Sequence, residues 1–340
     1  MNLGCHSRST PRRLGRPARV RDRFRSNRTC RVFRIGTMEL AFRRPALACR
    51  GGKLSRTMII KTTSTDYGYF EPSISALGTQ YCDRYKSAKP FPHIVLPDFL
   101  DEDILDLCLR EFPATPASSA AGYMRRQENL KFEFKPETLS PPLRSLFYSF
   151  NSIPFVGFIE NLTGIKGLIP DPYFAGAGFH EVSQGGHLDI HADFNFHAAL
   201  GLERRINVLI YLNKDWREEY GGCFEIWDQK MKRCRERIVP AFNTCVMFNT
   251  SSTSFHGNPA KVNHPDGKPR RAIALYYYTA TWDGTRRAHS TQFKVRPESA
   301  DGFDLRIRLS EVVEDVMPPV AMRAVRKLAR VVRADRSTAA

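Results

Sequence analysis

The stretch Gly185-Gly186-His187-Leu188-Asp189-Ile190-His191-Ala192-Asp193-Phe194 contains two overlapping His-x-Asp pairs. Residues two apart on a β-strand share a face, so His191 and Asp193 can turn both side chains toward one point. His187, Asp189, His191 and Asp193 all have the same parity, so parity does not choose between the pairs. On the C-terminal side, residues 204–212, 223–227, 237–239, 244–249 and 270–279 are short runs rich in Val, Ile, Phe and Tyr. Turn chemistry such as Gly221-Gly222 and Asn258-Pro259 separates them. On the N-terminal side, residues 91–97 read as a short strand. Asp101 opens a helix with Ile104, Leu105, Cys108, Leu109 and Phe112 on one side. Residues 113–139 read as loop. Ser140-Pro141 starts a helix striped by Leu143, Leu146, Phe147 and Phe150, and a further helix around residues 155–162 stops at Gly164. Helices first and short strands after predict an α+β fold whose sandwich or barrel has helices packed on one side.

The chain has 340 residues, of which 42% are apolar and 26% charged, an ordinary globular composition. No run approaches eighteen consecutive apolar residues, so no membrane-spanning helix is expected. The eight cysteines form no Cys-x-x-Cys pair. That speaks against a disulfide scaffold or zinc ribbon and for a reduced, cytoplasmic setting. The net charge of +17 sits at the ends. Residues 1–57 hold 16 basic and 2 acidic residues, and residues 318–340 hold 6 and 1, which leaves 30 and 32 for the body. A nucleic-acid-binding body carries its own basic face, so such binding is expected, if anywhere, only of the arm. Residues 1–57 read as a disordered Arg-rich arm, with an organelle-targeting segment or a true start at Met38 or Met58 as alternatives to Met1. Residues 58–90 read as a lead-in, 91–285 as the main domain, and 286–340 as an extension. Within that extension, residues 318–335 are patterned as a basic amphipathic helix.

A metal needs a third ligand from elsewhere in the chain. His256, just beyond the strand over residues 244–249, is the candidate. Two histidines and one carboxylate on one face of an octahedron leave three positions open, the arrangement of non-haem Fe(II) oxygenases. Fourteen residues later Arg270 opens an otherwise apolar strand. A guanidinium there is costly to bury unless it meets an anion, such as the far carboxylate of a dicarboxylate cosubstrate.

With these residues in order, the sequence resembles the Fe(II)/2-oxoglutarate dioxygenases, in particular their prolyl-hydroxylase-like branch. The resemblance spans roughly residues 91–285. It is carried by His191-x-Asp193, His256 and Arg270, with Tyr211-Leu212-Asn213-Lys214-Asp215-Trp216 and Gly221-Gly222 between them. It implies a double-stranded β-helix (jelly-roll) core in which His191, Asp193 and His256 bind Fe(II). It also implies that Arg270 holds the distal carboxylate of 2-oxoglutarate, with Arg271 as the second choice. Tyr211 resembles the family's tyrosine on the same carboxylate, a packed core aromatic being the competing reading. The family's Arg-x-Ser is Arg270-Arg271-Ala272 here, which lacks the hydroxyl. No tyrosine stands in Phe179-His180-Glu181-Val182-Ser183-Gln184-Gly185, so that family role is not carried over, and His180 or Glu181 is left facing the channel. The aromatic Phe194 after Asp193 selects the second His-x-Asp pair by resemblance. His187 and Asp189 then lie near the mouth of the site as polar surface residues. His197 reads as a surface or supporting residue, and Tyr276, Tyr277 and Tyr278 as packing.

The implied chemistry consumes 2-oxoglutarate and O2, releases succinate and CO2, and hydroxylates an unactivated C–H, with ascorbate as reductant. Asp193 points to hydroxylation, because related halogenases lack that ligand. The expected substrate is a prolyl residue in a protein or peptide. A small molecule oxidised by the same chemistry, nucleic-acid binding by the arm, and a jelly-roll without catalysis are the alternatives. The oligomeric state is left open.

Overall fold

The structure is a computed structural model that describes residues 58–62, 68–114, 121–299 and 301. The arm over 1–57 and the helix expected over 318–335 lie outside the described residues. Thirteen strands form one curled antiparallel sheet. Its path runs from β1 (His93–Leu96) through β10 (Cys245–Asn249), β7 (Leu202–Tyr211), β12 (Arg270–Thr279) and β5 (Gly178–Ala192). It continues through β11 (His256–Asn258) and β8 (Phe224–Trp227) to β9 (Cys234–Ile238). The strands β2 (Ala121–Met124), β3 (Glu128–Phe134), β4 (Ile169–Pro170), β6 (Phe196–His197) and β13 (Gln292–Phe293) attach to its sides.

Alternation along each strand builds two cores. On β7, Ile206, Val208 and Ile210 face the helices while Tyr211 faces the opposite way. On β12, Ile273, Leu275 and Tyr277 join the helical core while Ala272 points inward. On β10, Cys245 and Met247 go out and Val246 and Phe248 go in. The inward residues meet Phe224, Ile226 and Ile238 of β8 and β9, so the sheet closes on a second, smaller core. This is the jelly-roll, with helices covering one side.

The covering helices are α1 (Ile74–Leu77), α2 (Cys82–Ser87), α3 (Glu102–Arg110), α4 (Pro141–Phe150) and α5 (Ile153–Thr163). Prolines stand in the first turns of α4 and α5, where a missing N–H costs no helical bond. Gly164 ends α5 in the left-handed region at φ 74°, which glycine adopts without strain. Phe155 lies at the centre of this layer. Its ring meets Phe70, Phe99, Phe150, Phe158 and Tyr277 at centroid separations of 4.9–6.5 Å.

Part of the segment expected as loop over 113–139 is instead the hairpin β2–β3, and β3 pairs with β5 from Phe134↔Phe179 to Glu128↔Leu188. Phe132 and Phe134 are buried in the helical core, while Lys131 and Glu133 alternate onto the other face as an ion pair of 2.8 Å. Residues 58–90 pack on the same unit: Ile59 and Ile60 donate to the carbonyls of Asp98 and Phe99. Beyond residue 285, β13 pairs with the end of β5, with Phe293 opposite His191.

Candidate active site

His191 is the penultimate residue of β5 and His256 opens β11, and the two are direct partners across the ladder. Asp193 lies just past β5 and points back. Its Oδ1 is 3.4 Å from His191 Nε2 and its Oδ2 is 3.4 Å from His256 Nε2. The three ligand atoms lie within 4.8 Å of one another.

Carbonyls fix both imidazole tautomers. His191 Nδ1 sits 2.8 Å from the Asp189 carbonyl and His256 Nδ1 2.8 Å from the Ser254 carbonyl. A carbonyl only accepts, so each Nδ1 carries a proton and each Nε2 is the ring nitrogen left to face Asp193. Burial pushes His256 toward the neutral form, with Asp193 opposing. Burial also pushes the Asp193 carboxyl up, but Arg204 and His256 outweigh it and hold the group well below the usual carboxylate range. The Nε2 atoms of two imidazoles and a carboxylate thus converge, and their composition is the two-histidine, one-carboxylate set.

Asp193 is held from behind. Asn207 Nδ2 donates to its Oδ2 at 2.6 Å, and Arg204 Nη2 lies 3.3 Å from the same oxygen. Arg204 also donates twice to Asn207 Oδ1, at 3.0 and 2.8 Å, and packs between the rings of Phe194 and Tyr276. Arg204 and Asn207 are three apart, so a regular strand would set them on opposite faces. A bulge opposite Tyr277/Tyr278 absorbs the extra residue Arg205 and brings them together. The sequence reading missed both. The signal was available, since Arg204 is a second arginine inside an apolar strand.

Arg270 and Arg271 separate cleanly. Arg271 Nε meets Glu181 at 2.8 Å on the outer side, above the Phe112 ring. Arg270 turns inward and is 6% exposed. Its Nε donates to the Gly222 carbonyl at 2.7 Å, and among the described residues no carboxylate pairs with it. Its guanidinium lies 4.9 Å from the centre of the Tyr211 ring. Among the described residues the buried Tyr211 hydroxyl has no hydrogen-bond partner, and burial pushes it up to about 12 against the pull of Arg270. A buried cation without a counter-ion beside an unpaired hydroxyl is what an anion would satisfy.

One inner cavity of about 80 Å³ joins His191, Asp193 and His256 to Arg270. His180, Asn258 and Ala272 also line it, so His180 rather than Glu181 faces the channel. Burial, helped by Lys131, depresses His180 to about 4, and its Nε2 sits 2.9 Å from the Gly176 carbonyl. An outer chamber of about 330 Å³ opens on the other side of His191 and Asp193. Its walls include Tyr123, Arg125, Glu128, Lys131, Glu133 and Tyr276. Tyr276 lines both spaces, so it does more than pack.

Asp189 is a correction. It is 5% exposed and sits 3.6 Å from His187 Nε2, not on the surface. Between His191 and Leu188, β5 places three steps against two on β11. This bulge reverses the face, so Leu188 lines both cavities with His191 while Asp189 turns away. Burial and Asp301 push the Asp189 carboxyl up to about 6. His197 is also buried, against Asp171 and Tyr278, outside the site.

On this curled antiparallel sheet, His191, Asp193 and His256 form a group that could hold a metal ion. Residues 177–278, which hold His191, Asp193, Tyr211, His256 and Arg270, match the family model described as the 2OG-Fe(II) oxygenase superfamily. Solved structures similar to it include a prolyl hydroxylase from Trichoplax adhaerens in complex with a hypoxia-inducible-factor peptide fragment. That structure is 15% identical, with a TM-score of 0.46 over 61% of this chain and 90% of the other. A Pseudomonas putida prolyl-4-hydroxylase is 14% identical, with a TM-score of 0.41 over 60% and 99%. HygX from Streptomyces hygroscopicus with nickel and 2-oxoglutarate bound is 10% identical, with a TM-score of 0.40 over 64% and 96%. No curated protein matches the sequence. Among the described residues no helix is long and apolar enough to cross a membrane.

Proposed function

We propose that this chain is an Fe(II)- and 2-oxoglutarate-dependent hydroxylase in which His191, Asp193 and His256 hold the metal. Arg270, with the Tyr211 hydroxyl, receives the distal carboxylate of 2-oxoglutarate. The observation that carries this reading is the single inner cavity shared by the three convergent ligands and the unpaired Arg270. When bound, the metal with 2-oxoglutarate and O2 supplies the oxidising chemistry, releasing succinate and CO2 as a substrate C–H becomes C–OH.

The chain's own residues supply geometry. The Asp189 and Ser254 carbonyls aim the two Nε2 atoms. Asn207 and Arg204 keep the Asp193 carboxylate ionised and oriented. Phe224 and Phe248 keep the inner cavity apolar between its polar groups. The substrate enters the outer chamber, beside Tyr276 and Phe293.

A prolyl residue in a protein or peptide is the substrate that the sequence resemblance favours. A polar small molecule is the second reading, supported by the ionisable walls Arg125, Glu128, Lys131 and Glu133 of the outer chamber. Ascorbate enters only as the reductant expected of such enzymes.

The test is anaerobic addition of Fe(II) and then 2-oxoglutarate to the full chain, read as a visible charge-transfer band. A band that His191→Ala removes is the expected result. Loss of a charge-assisted contact should make Arg270→Ala need about ten- to a hundredfold more 2-oxoglutarate, while Arg271→Ala matches the parent. The same demand from Arg271→Ala instead would overturn the assignment. Peptide and small-molecule panels then separate the two substrate readings.

A further inference from the structure

We infer that Asn258 is a second cosubstrate-binding residue, donating its side-chain amide to a carboxylate oxygen of 2-oxoglutarate; this rests on the function proposed above. Asn258 is 4% exposed and lines the inner cavity together with Arg270 and the three convergent ligands. Its Nδ2 is buried and has no hydrogen-bond partner among the described residues. The position is held firmly. Asn258 follows His256 by two residues on β11, between β5 and β8. The intervening Gly257 packs so closely that a Cβ there would come within 2.7 Å of the Asp189 carbonyl and 2.9 Å of the Leu188 carbonyl.

The other polar groups on the cavity wall are already engaged. Asn207 bonds Arg204 and Asp193, His180 bonds the Gly176 carbonyl, and Lys131 bonds Glu128 and Glu133. Among the described residues Asn258 Nδ2 has no acceptor, and Arg270, whose Nε donates to the Gly222 carbonyl, has no carboxylate partner. On the facing strand, two residues from Arg270, Ala272 offers only a methyl group. An unpaired buried amide carries its full desolvation cost, and a carboxylate entering this cavity relieves it.

The test measures binding without turnover. The full chain is loaded with Mn(II) in the absence of O2, and 2-oxoglutarate is titrated by calorimetry. Mn(II) affinity is read separately by electron paramagnetic resonance. Asn258→Ala should bind 2-oxoglutarate about tenfold more weakly with Mn(II) affinity unchanged. Asn258→Asp should bind it more weakly still, because it sets a carboxylate against a carboxylate. Adding Ala272→Ser to Asn258→Ala should recover part of the loss by restoring a donor to the same cavity. Parent-like binding in both single variants overturns the inference. So does a loss that falls equally on Mn(II) and 2-oxoglutarate and that Ala272→Ser leaves unrepaired, since that marks a structural role. If the parent itself fails to bind 2-oxoglutarate, the proposed function falls instead. Binding lost in Arg270→Ala but kept in the Asn258 variants removes Asn258 alone.

Discussion

Arg270 and Arg271 are neighbours with opposite environments, and a one-residue slip of β12 would exchange them. The register Arg270↔Val182 and Arg271↔Glu181 settles which side chain reaches the cavity. Asn207 deserves the same reading, because it bonds both Asp193 and the arginine beside it. Asn207→Ala should lower Mn(II) affinity about ten- to a hundredfold, the usual cost of removing a group that orients a metal ligand. An unchanged affinity would mean that Arg204 alone orients the carboxylate. His180 makes a pH prediction. Its folded value of about 4 lies below the ordinary 6.5 because burial disfavours the charged ring. Between pH 6.5 and 4 the unfolded chain takes up a proton that the folded chain refuses, so stability falls as pH drops through that window. His180→Gln should shallow that fall in urea midpoints measured from pH 7 to 4, and identical slopes would show that His180 charges freely in the fold.

Two bulges place the site's residues where simple alternation would not. The bulge in β5 sends Leu188 to the cavity and Asp189 away from it, and the bulge in β7 sets Arg204 beside Asn207. Both lie next to the proposed metal ligands. The first depends on close approach of β11. Gly257→Ala would force a Cβ against two β5 carbonyls and push the strand outward. Since His256 is the residue before it, the expected result is loss of Mn(II) affinity larger than any loss of thermal stability. A variant that binds Mn(II) as the parent does would show that β5 yields instead. The hairpin β2–β3 and strand β13 line the outer chamber through Tyr123, Lys131 and Phe293. Elements outside the family-matched stretch therefore shape that chamber.

Across the whole molecule, ligand binding and charge act separately. A metal that binds only the folded state at a hundred times its dissociation constant adds about 2.7 kcal/mol, or about 5–10 °C for a domain of this size. Mn(II) should therefore raise the melting temperature of the parent and leave that of His191→Ala unmoved. The basic charge gathers in residues 1–57 and 318–340, while the body between is two charges negative. Deleting residues 1–57 should reduce any salt-sensitive affinity for nucleic acid while leaving 2-oxoglutarate binding intact. Retained affinity would place a basic face on the body after all.

The sequence by itself determined the class of fold and the identity of the convergent residues. Apolar alternation over 204–212, 244–249 and 270–279 marked the strands. His191 and Asp193 stood out by their His-x-Asp spacing and, with His256, by the family resemblance, and Arg270 because a guanidinium is costly inside an apolar strand. The local pattern could not show where alternation breaks. Only the tertiary structure put Asp189 in the interior, brought Asn207 and Arg204 behind Asp193, turned the charged run 128–133 into a cavity wall, and left Asn258 Nδ2 without an acceptor among the described residues. Each of these depends on register and bulges between strands distant in the chain, and registers are set by the packing of both cores at once, not by any one segment's own periodicity.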